Sequence, residues 1–127
     1  MSADANRQAV QASYDGFLTG DLSPLVAIMA DDIEWTSYED NPFNGTHRGP
    51  EAVLAFFASF DSIEMTKFEP ESMMAEGDRV VVILNVGYTV QATGKTWDGP
   101  VAHIFDFEAG KLARFREFSG TSASAWS

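Results

Sequence analysis

The stretch from Trp97 to Ser119, WDGPVAHIFDFEAGKLARFREFS, constrains this chain more than any other. Apolar residues alternate on both sides of Glu108-Ala109-Gly110, and alternation interrupted by a short Gly-containing turn favours two antiparallel strands joined as a hairpin. Residues two apart share a face of a strand. Val101, His103 and Phe105 therefore fall together on the first strand, and Phe115, Glu117 and Ser119 on the second. A turn near Ala109 sets residues around 103 opposite residues 115 to 117, which brings His103, one of only two histidines, within reach of Glu117.

The segments upstream read as walls for that hairpin. Arg79 to Ala92 is a long strand, apolar on both faces through Val80-Val81-Val82-Ile83-Leu84, as for an interior strand covered twice. Ser62 to Ala75 carries Ile63, Met65, Phe68 and Met73 around Pro70, which a sheet tolerates only at an edge or a bulge, so an edge strand is predicted. Glu76-Gly77-Asp78 and Thr93-Gly94-Lys95 are the connecting turns. Three helices precede them. Val10, Tyr14, Phe17 and Leu18 recur at helical spacing over Ala3 to Thr19, with Gly20 as the stop. Ser23-Pro24 is an N-cap and first-turn signal for a short helix ending near Ala30, which places Asp31-Asp32 at its end as capping and surface groups. Gly49-Pro50-Glu51 opens a third helix whose core face is Val53, Phe56, Phe57 and Phe60. Between the second and third helices, Ile33 to Thr36 alternates as one strand, Asn41-Pro42-Phe43-Asn44-Gly45 is loop chemistry, and His47 lies in that loop. Ser119 to Ser127 is small and polar apart from Trp126, so a loose tail is expected.

Length and composition narrow the class. A chain of 127 residues suits one domain and is long enough to fold without metal or disulfide support. A net charge of −11 repels phosphate backbones and anionic lipid heads, which argues against nucleic-acid and membrane-surface roles. Cysteine is absent, removing thiol catalysis and thiolate metal sites, and two histidines without fixed ligand spacing suggest no metal. The opening MSADANRQAV has neither a basic nor an apolar signal region, and no segment approaches the roughly 18 apolar residues of a membrane span. The expectation is a cytoplasmic protein without a cofactor.

The order of elements is helix, helix, strand, helix, then four strands. That is an α+β fold, a cone-shaped barrel in which a curved, mixed or antiparallel sheet wraps around three N-terminal helices. With GDLSPLVAIMADDIEW, GTHRGPEAVLAFF and HIFDFEAGKLARFREF, this order resembles the SnoaL-like branch of the nuclear transport factor 2-like superfamily over residues 3 to 122. The resemblance implies a ligand cavity in the cone and a homodimer packed through the outer sheet face. Relatives include polyketide cyclases, ketosteroid isomerases, limonene epoxide hydrolases, dehydratases and members without known activity, so the fold does not choose the reaction. It also implies that His103 faces the cavity, at the strand position where the isomerases carry an oxyanion-hole acid. Their general-base Asp corresponds here to Ser37 and their helix-one Tyr to Ser13, with Tyr14 one place off. The Asp that many relatives carry after the last strand's aromatic is missing at Phe118-Ser119-Gly120, and the Arg/Asp/Asp set of the epoxide hydrolases is not recognisable.

The candidate catalytic residues are His103 and Glu117. An imidazole in an apolar cone suits acid–base work near neutral pH, and a carboxylate on one ring nitrogen would fix the tautomer and leave the other for a ligand. The competing readings are a satisfied buried pair, or Glu117 bonded to an arginine; Arg114 and Arg116 fall on the opposite face, toward surface acids or a partner. Candidate ligand-binding residues are Tyr14, Phe17, Trp35, Ser37, Phe57, Tyr88, Trp97 and Phe115, aromatic walls with hydroxyl and indole donors, most of which could equally be core. Trp35 stands out because parity puts it with Ser37. Two functions remain: cofactor-free proton transfer on a small apolar or aromatic metabolite, and a non-catalytic ligand-binding or interaction module.

Overall fold

The computed structural model describes residues 2–127. Helix α1 (Ala3–Thr19) starts where the Ser2 hydroxyl accepts the Ala5 N–H at 3.0 Å, and stops at Gly20, whose φ of +82° suits a residue without a Cβ. Val10 and Tyr14, one turn apart, are the large side chains that α1 buries. Helix α2 (Ser23–Ile28) differs from its expectation at both ends. Leu22 holds the N-cap position, while Ser23 sits inside the helix and donates its hydroxyl to Asp21 at 2.7 Å. The helix also ends early, because strand β1 (Met29–Tyr38) begins at once, with Met29 paired to Leu112. Asp31 and Asp32 consequently lie exposed in a strand and cap nothing.

Strand β2 (Gly45–Arg48) replaces part of the expected loop. It pairs antiparallel with β1, setting His47 opposite Trp35 and joining the Thr36 and Thr46 hydroxyls at 3.0 Å. Helix α3 (Pro50–Ala58) runs into a 3-10 turn (Ser59–Ser62) that carries Phe60. Strands β3 (Ile63–Glu76), β4 (Arg79–Val90), β5 (Thr96–Glu108) and β6 (Lys111–Ser119) form the antiparallel meander, and β1 adds parallel to β6. The six-stranded order is β2-β1-β6-β5-β4-β3, so Pro70 lies in an edge strand, at a register shift between Pro70 and Ser72. Ala109 and Gly110, with φ of +49° and +80°, make the two-residue turn between β5 and β6.

The helices cover one face of this sheet. Val80, Val82 and Leu84 are wholly buried there, whereas Val81 and Ile83 on the outer face are only half-buried, so β4 is not covered twice within one chain. The expected loose tail is also corrected. The Ser122 N–H donates to Asp40 at 2.7 Å, the Thr93 hydroxyl donates to the Ala125 carbonyl at 2.6 Å, and Trp126 packs edge-on against Phe43 with its indole N–H on the Tyr88 hydroxyl at 3.2 Å. Ser122 and the final 3-10 turn that follows it (Ala123–Trp126) supply these contacts. No helix among the described residues is long and apolar enough to cross a membrane.

Candidate functional site

The β5–β6 register sets His103 directly opposite Glu117, and the His103 Nε2 lies 2.6 Å from Glu117 Oε2. The other ring nitrogen is not free, contrary to expectation: Tyr14, reaching across from α1, places its hydroxyl 2.6 Å from His103 Nδ1. Three elements thus contribute to one chain of hydrogen bonds, Tyr14–His103–Glu117. The Tyr14 ring also lies against Phe68 and Phe105, which hold it in place. Ser13 does not take the tyrosine's role; its hydroxyl donates to the Ala9 carbonyl at 2.9 Å.

Burial sets the charge states along this chain. It pushes the Tyr14 phenol well above the ordinary tyrosine range, and the Glu117 charge adds to the effect, so the hydroxyl keeps its proton. Burial also opposes ionisation of Glu117, but the hydrogen bond and charge of His103, followed by hydrogen bonding with Glu39, outweigh it and hold Glu117 below the usual carboxylate range. Glu117 is therefore the acceptor and His103 Nε2–H the donor. With a neutral ring, Tyr14 O–H donates to Nδ1; with a protonated ring, Nδ1–H donates to the tyrosine oxygen.

Glu39 completes the group and was not among the residues singled out from sequence. Burial first, then the charge of Glu117 and hydrogen bonding with it, push Glu39 up to about 8, so it is a protonated acid at neutral pH. Two carboxyl groups in one site are thereby driven apart, one ionised and one neutral. The signal for Glu39 lay in the same parity that picked out Trp35 and Ser37, continued by one more pair of residues.

These groups border a partly open cavity of about 100 Å³. All ten residues singled out from sequence line it: Tyr14, Phe17, Trp35, Ser37, Phe57, Tyr88, Trp97, His103, Phe115 and Glu117. Trp35 stacks on Phe115 with ring centroids 3.7 Å apart, a flat aromatic wall next to His103. One expected donor is already engaged, since the Trp97 indole donates to the Thr121 carbonyl at 2.9 Å, while the Tyr88 hydroxyl accepts from the Trp126 indole. Ser37, only 1% exposed, has a hydroxyl without a partner. Outside the cavity, the His47 ring lies against Phe56 at 4.6 Å, and Arg114 and Arg116 join Arg79 around Asp106. No arginine therefore competes for Glu117. Among the described residues, no group of three or more His, Cys, Asp or Glu side chains is arranged to hold a metal ion.

A curved six-stranded sheet wrapped around helices in this order is the nuclear transport factor 2-like fold, an α+β class. Within that class the sequence matches the SnoaL-like domain over residues 10–115, and the chain belongs to this family. A nuclear transport factor 2-like protein from Burkholderia xenovorans is 30% identical, with 98% of each chain covered and a TM-score of 0.85. Another from Burkholderia thailandensis is 26% identical over 96% of this chain and 97% of its own, with a TM-score of 0.89. TerC, crystallised with polyporic acid, is 27% identical over 96% of this chain and 95% of its own, with a TM-score of 0.79. No curated protein matches the sequence.

Proposed function

We propose that this protein holds a compact apolar or aromatic metabolite in its cone and moves a proton on it without a cofactor, in a reaction of the cyclase, isomerase or dehydratase type. The observation that carries this reading is the Tyr14–His103–Glu117 chain at the wall of a mainly aromatic and aliphatic cavity. Its chemistry differs from a simple imidazole base. A ligand proton passes to the Tyr14 oxygen as the phenol passes its own proton to His103 Nδ1, and Glu117 stabilises the imidazolium that forms. The reverse transfer returns the proton to a different atom of the ligand, so the protein ends unchanged. His103 is the acid–base reservoir, Tyr14 the group that touches the ligand, and Glu117 a positioning residue. Aromatic walls, and the co-crystallisation of the TerC relative with polyporic acid, support an aromatic or polyketide-like ligand. A volume of about 100 Å³ is smaller than the ~300 Å³ or more of typical drug-sized sites, and suits a single ring or the end ring of a larger molecule.

The outer sheet face supports the homodimer that the family resemblance implies. Tyr38, Met74 and Phe118 are 50%, 60% and 39% exposed there, flanking half-buried Val81 and Ile83. Sedimentation equilibrium reads the assembly state directly.

The catalytic reading is tested by incubating a panel of polyketide-like ketones and phenols with the protein in D2O and following carbon-bound deuterium by NMR. Exchange should fall roughly 100-fold or more in Tyr14→Phe and His103→Gln. A second reading keeps the cavity but not the chemistry, and one observation favours it: both His103 nitrogens are satisfied within the protein. Ligands that bind without any exchange would establish that binding module and overturn catalysis.

A further inference from the structure

Two polar groups of the cavity wall lie beside the Tyr14–His103–Glu117 chain, each with an atom that has no partner in the protein. Ser37 and Glu39 follow Trp35 at alternate positions of β1 and its continuation, and both line the cavity. The Ser37 hydroxyl is buried without a hydrogen-bond partner, and so is Oε2 of Glu39. In the parallel β1–β6 pair Ser37 stands directly beside Glu117, so both orphan atoms lie at the end of the cavity that holds the proton chain. Buried polar atoms are seldom left unpaired in native proteins. Two of them together on the wall of an apolar cavity mark where the polar group of a ligand sits.

The donors and acceptors on hand define that group. Serine offers one donor and two acceptor sites. Oε2 of Glu39 has no partner within the protein and can accept a hydrogen bond. This end of the cavity thus carries one negative charge, one unused donor and unused acceptors. A ligand carboxylate or phosphate would set a second negative charge against Glu117 away from bulk water. A bare hydrocarbon would leave both orphan atoms unsatisfied. A hydroxyl satisfies both, giving its proton to Glu39 Oε2 and accepting from Ser37.

We propose that Ser37 and Glu39 form a subsite for a neutral hydroxyl group, so that the cavity selects a phenolic or alcoholic ring over the bare ring and over a carboxylate of similar size. This rests on the cone being a ligand cavity, and the test separates the two ideas. Isothermal titration of the full chain at pH 7 with toluene, phenol and benzoate should show phenol binding at least tenfold tighter than toluene, and benzoate weakest. Ser37→Ala should erase the preference for phenol while leaving toluene affinity within about twofold, which also shows that the variant is folded. Glu39→Gln, which keeps a carbonyl acceptor, should retain most of the preference. Toluene binding as well as phenol, benzoate matching phenol, or a preference that survives Ser37→Ala would each overturn the subsite and leave the cavity standing. Failure of all three ligands to bind would overturn the cavity and the subsite together.

Discussion

Replacing Tyr14 by Phe removes one oxygen from the centre of the site and little else. The ring contacts with Phe68, Phe105 and His103, at centroid distances of 5.7, 5.9 and 5.8 Å, do not involve the hydroxyl and are kept. What is lost is the 2.6 Å hydrogen bond to His103 Nδ1, between side chains that are each only 5% exposed. The nitrogen left behind has no other partner, and an unsatisfied buried group of this kind costs about 1–3 kcal/mol. Taking about 2 kcal/mol, and an unfolding entropy of roughly 0.27 kcal/mol/K for a chain of this length, Tm should fall by about 7 °C. Urea unfolding at pH 7 should give the same loss with an unchanged m-value. Tyr88→Phe is the internal control. Tyr88 is equally buried, but its hydroxyl accepts a longer bond, 3.2 Å, from Trp126, so its loss should cost less than about 1 kcal/mol. A Tyr14→Phe loss no larger than that of Tyr88→Phe would refute the idea that the Tyr14–His103 bond is a tightly held part of the site.

Two further outcomes follow from Glu39 and from the C-terminal turn. Glu39 has a folded-state value of about 8 against an ordinary 4.5, so its contribution to stability is full below about 4.5 and is lost as pH rises through 8. With screening of a half-buried carboxyl allowed for, wild type should lose about 2 kcal/mol more than Glu39→Gln between pH 6 and pH 9 in urea unfolding, and parallel pH profiles would contradict the burial of this acid. Ending the chain after Thr121 deletes the Ser122–Asp40 bonds and the packing of Trp126 on Phe43, which should cost about 3 kcal/mol; a truncated protein with wild-type Tm would show that the tail is as loose as its composition suggests.

Much of this molecule is legible in its sequence wherever a short-range rule fixes the geometry, and is hidden wherever packing between distant elements decides it. Gly20 stops α1, Pro70 demotes β3 to an edge, and alternation sets Val101, His103 and Phe105 on the inner face of β5. Strand β2 is hidden because four residues with an exposed, half-polar pattern carry too little periodicity to be told from a loop. The bond from Tyr14 to His103 is hidden because no local rule gives the distance from a helix to a strand 89 residues later.

The pairing of His103 with Glu117 falls between these cases. A two-residue turn at Ala109-Gly110 pairs Glu108 with Lys111 and Phe107 with Leu112, and carrying that register along the hairpin would set Arg116, not Glu117, opposite His103. The structure inserts Ala113 as an extra residue in β6, so that Asp106 meets Arg114 and every later pair shifts by one. A one-residue shift exchanges the two faces of a strand. Without it Arg116 would point into the cone and Glu117 would stand opposite Ala102 on the outer face; with it the three arginines gather on Asp106 and the carboxylate reaches the imidazole. The sequence does carry the mark of this bulge. Leu112 and Phe115 are both core residues, 0% and 3% exposed, and two inward residues three apart cannot belong to one regular strand. The extra residue between them is what turns a basic wall into an acidic one, and the proton chain depends on it.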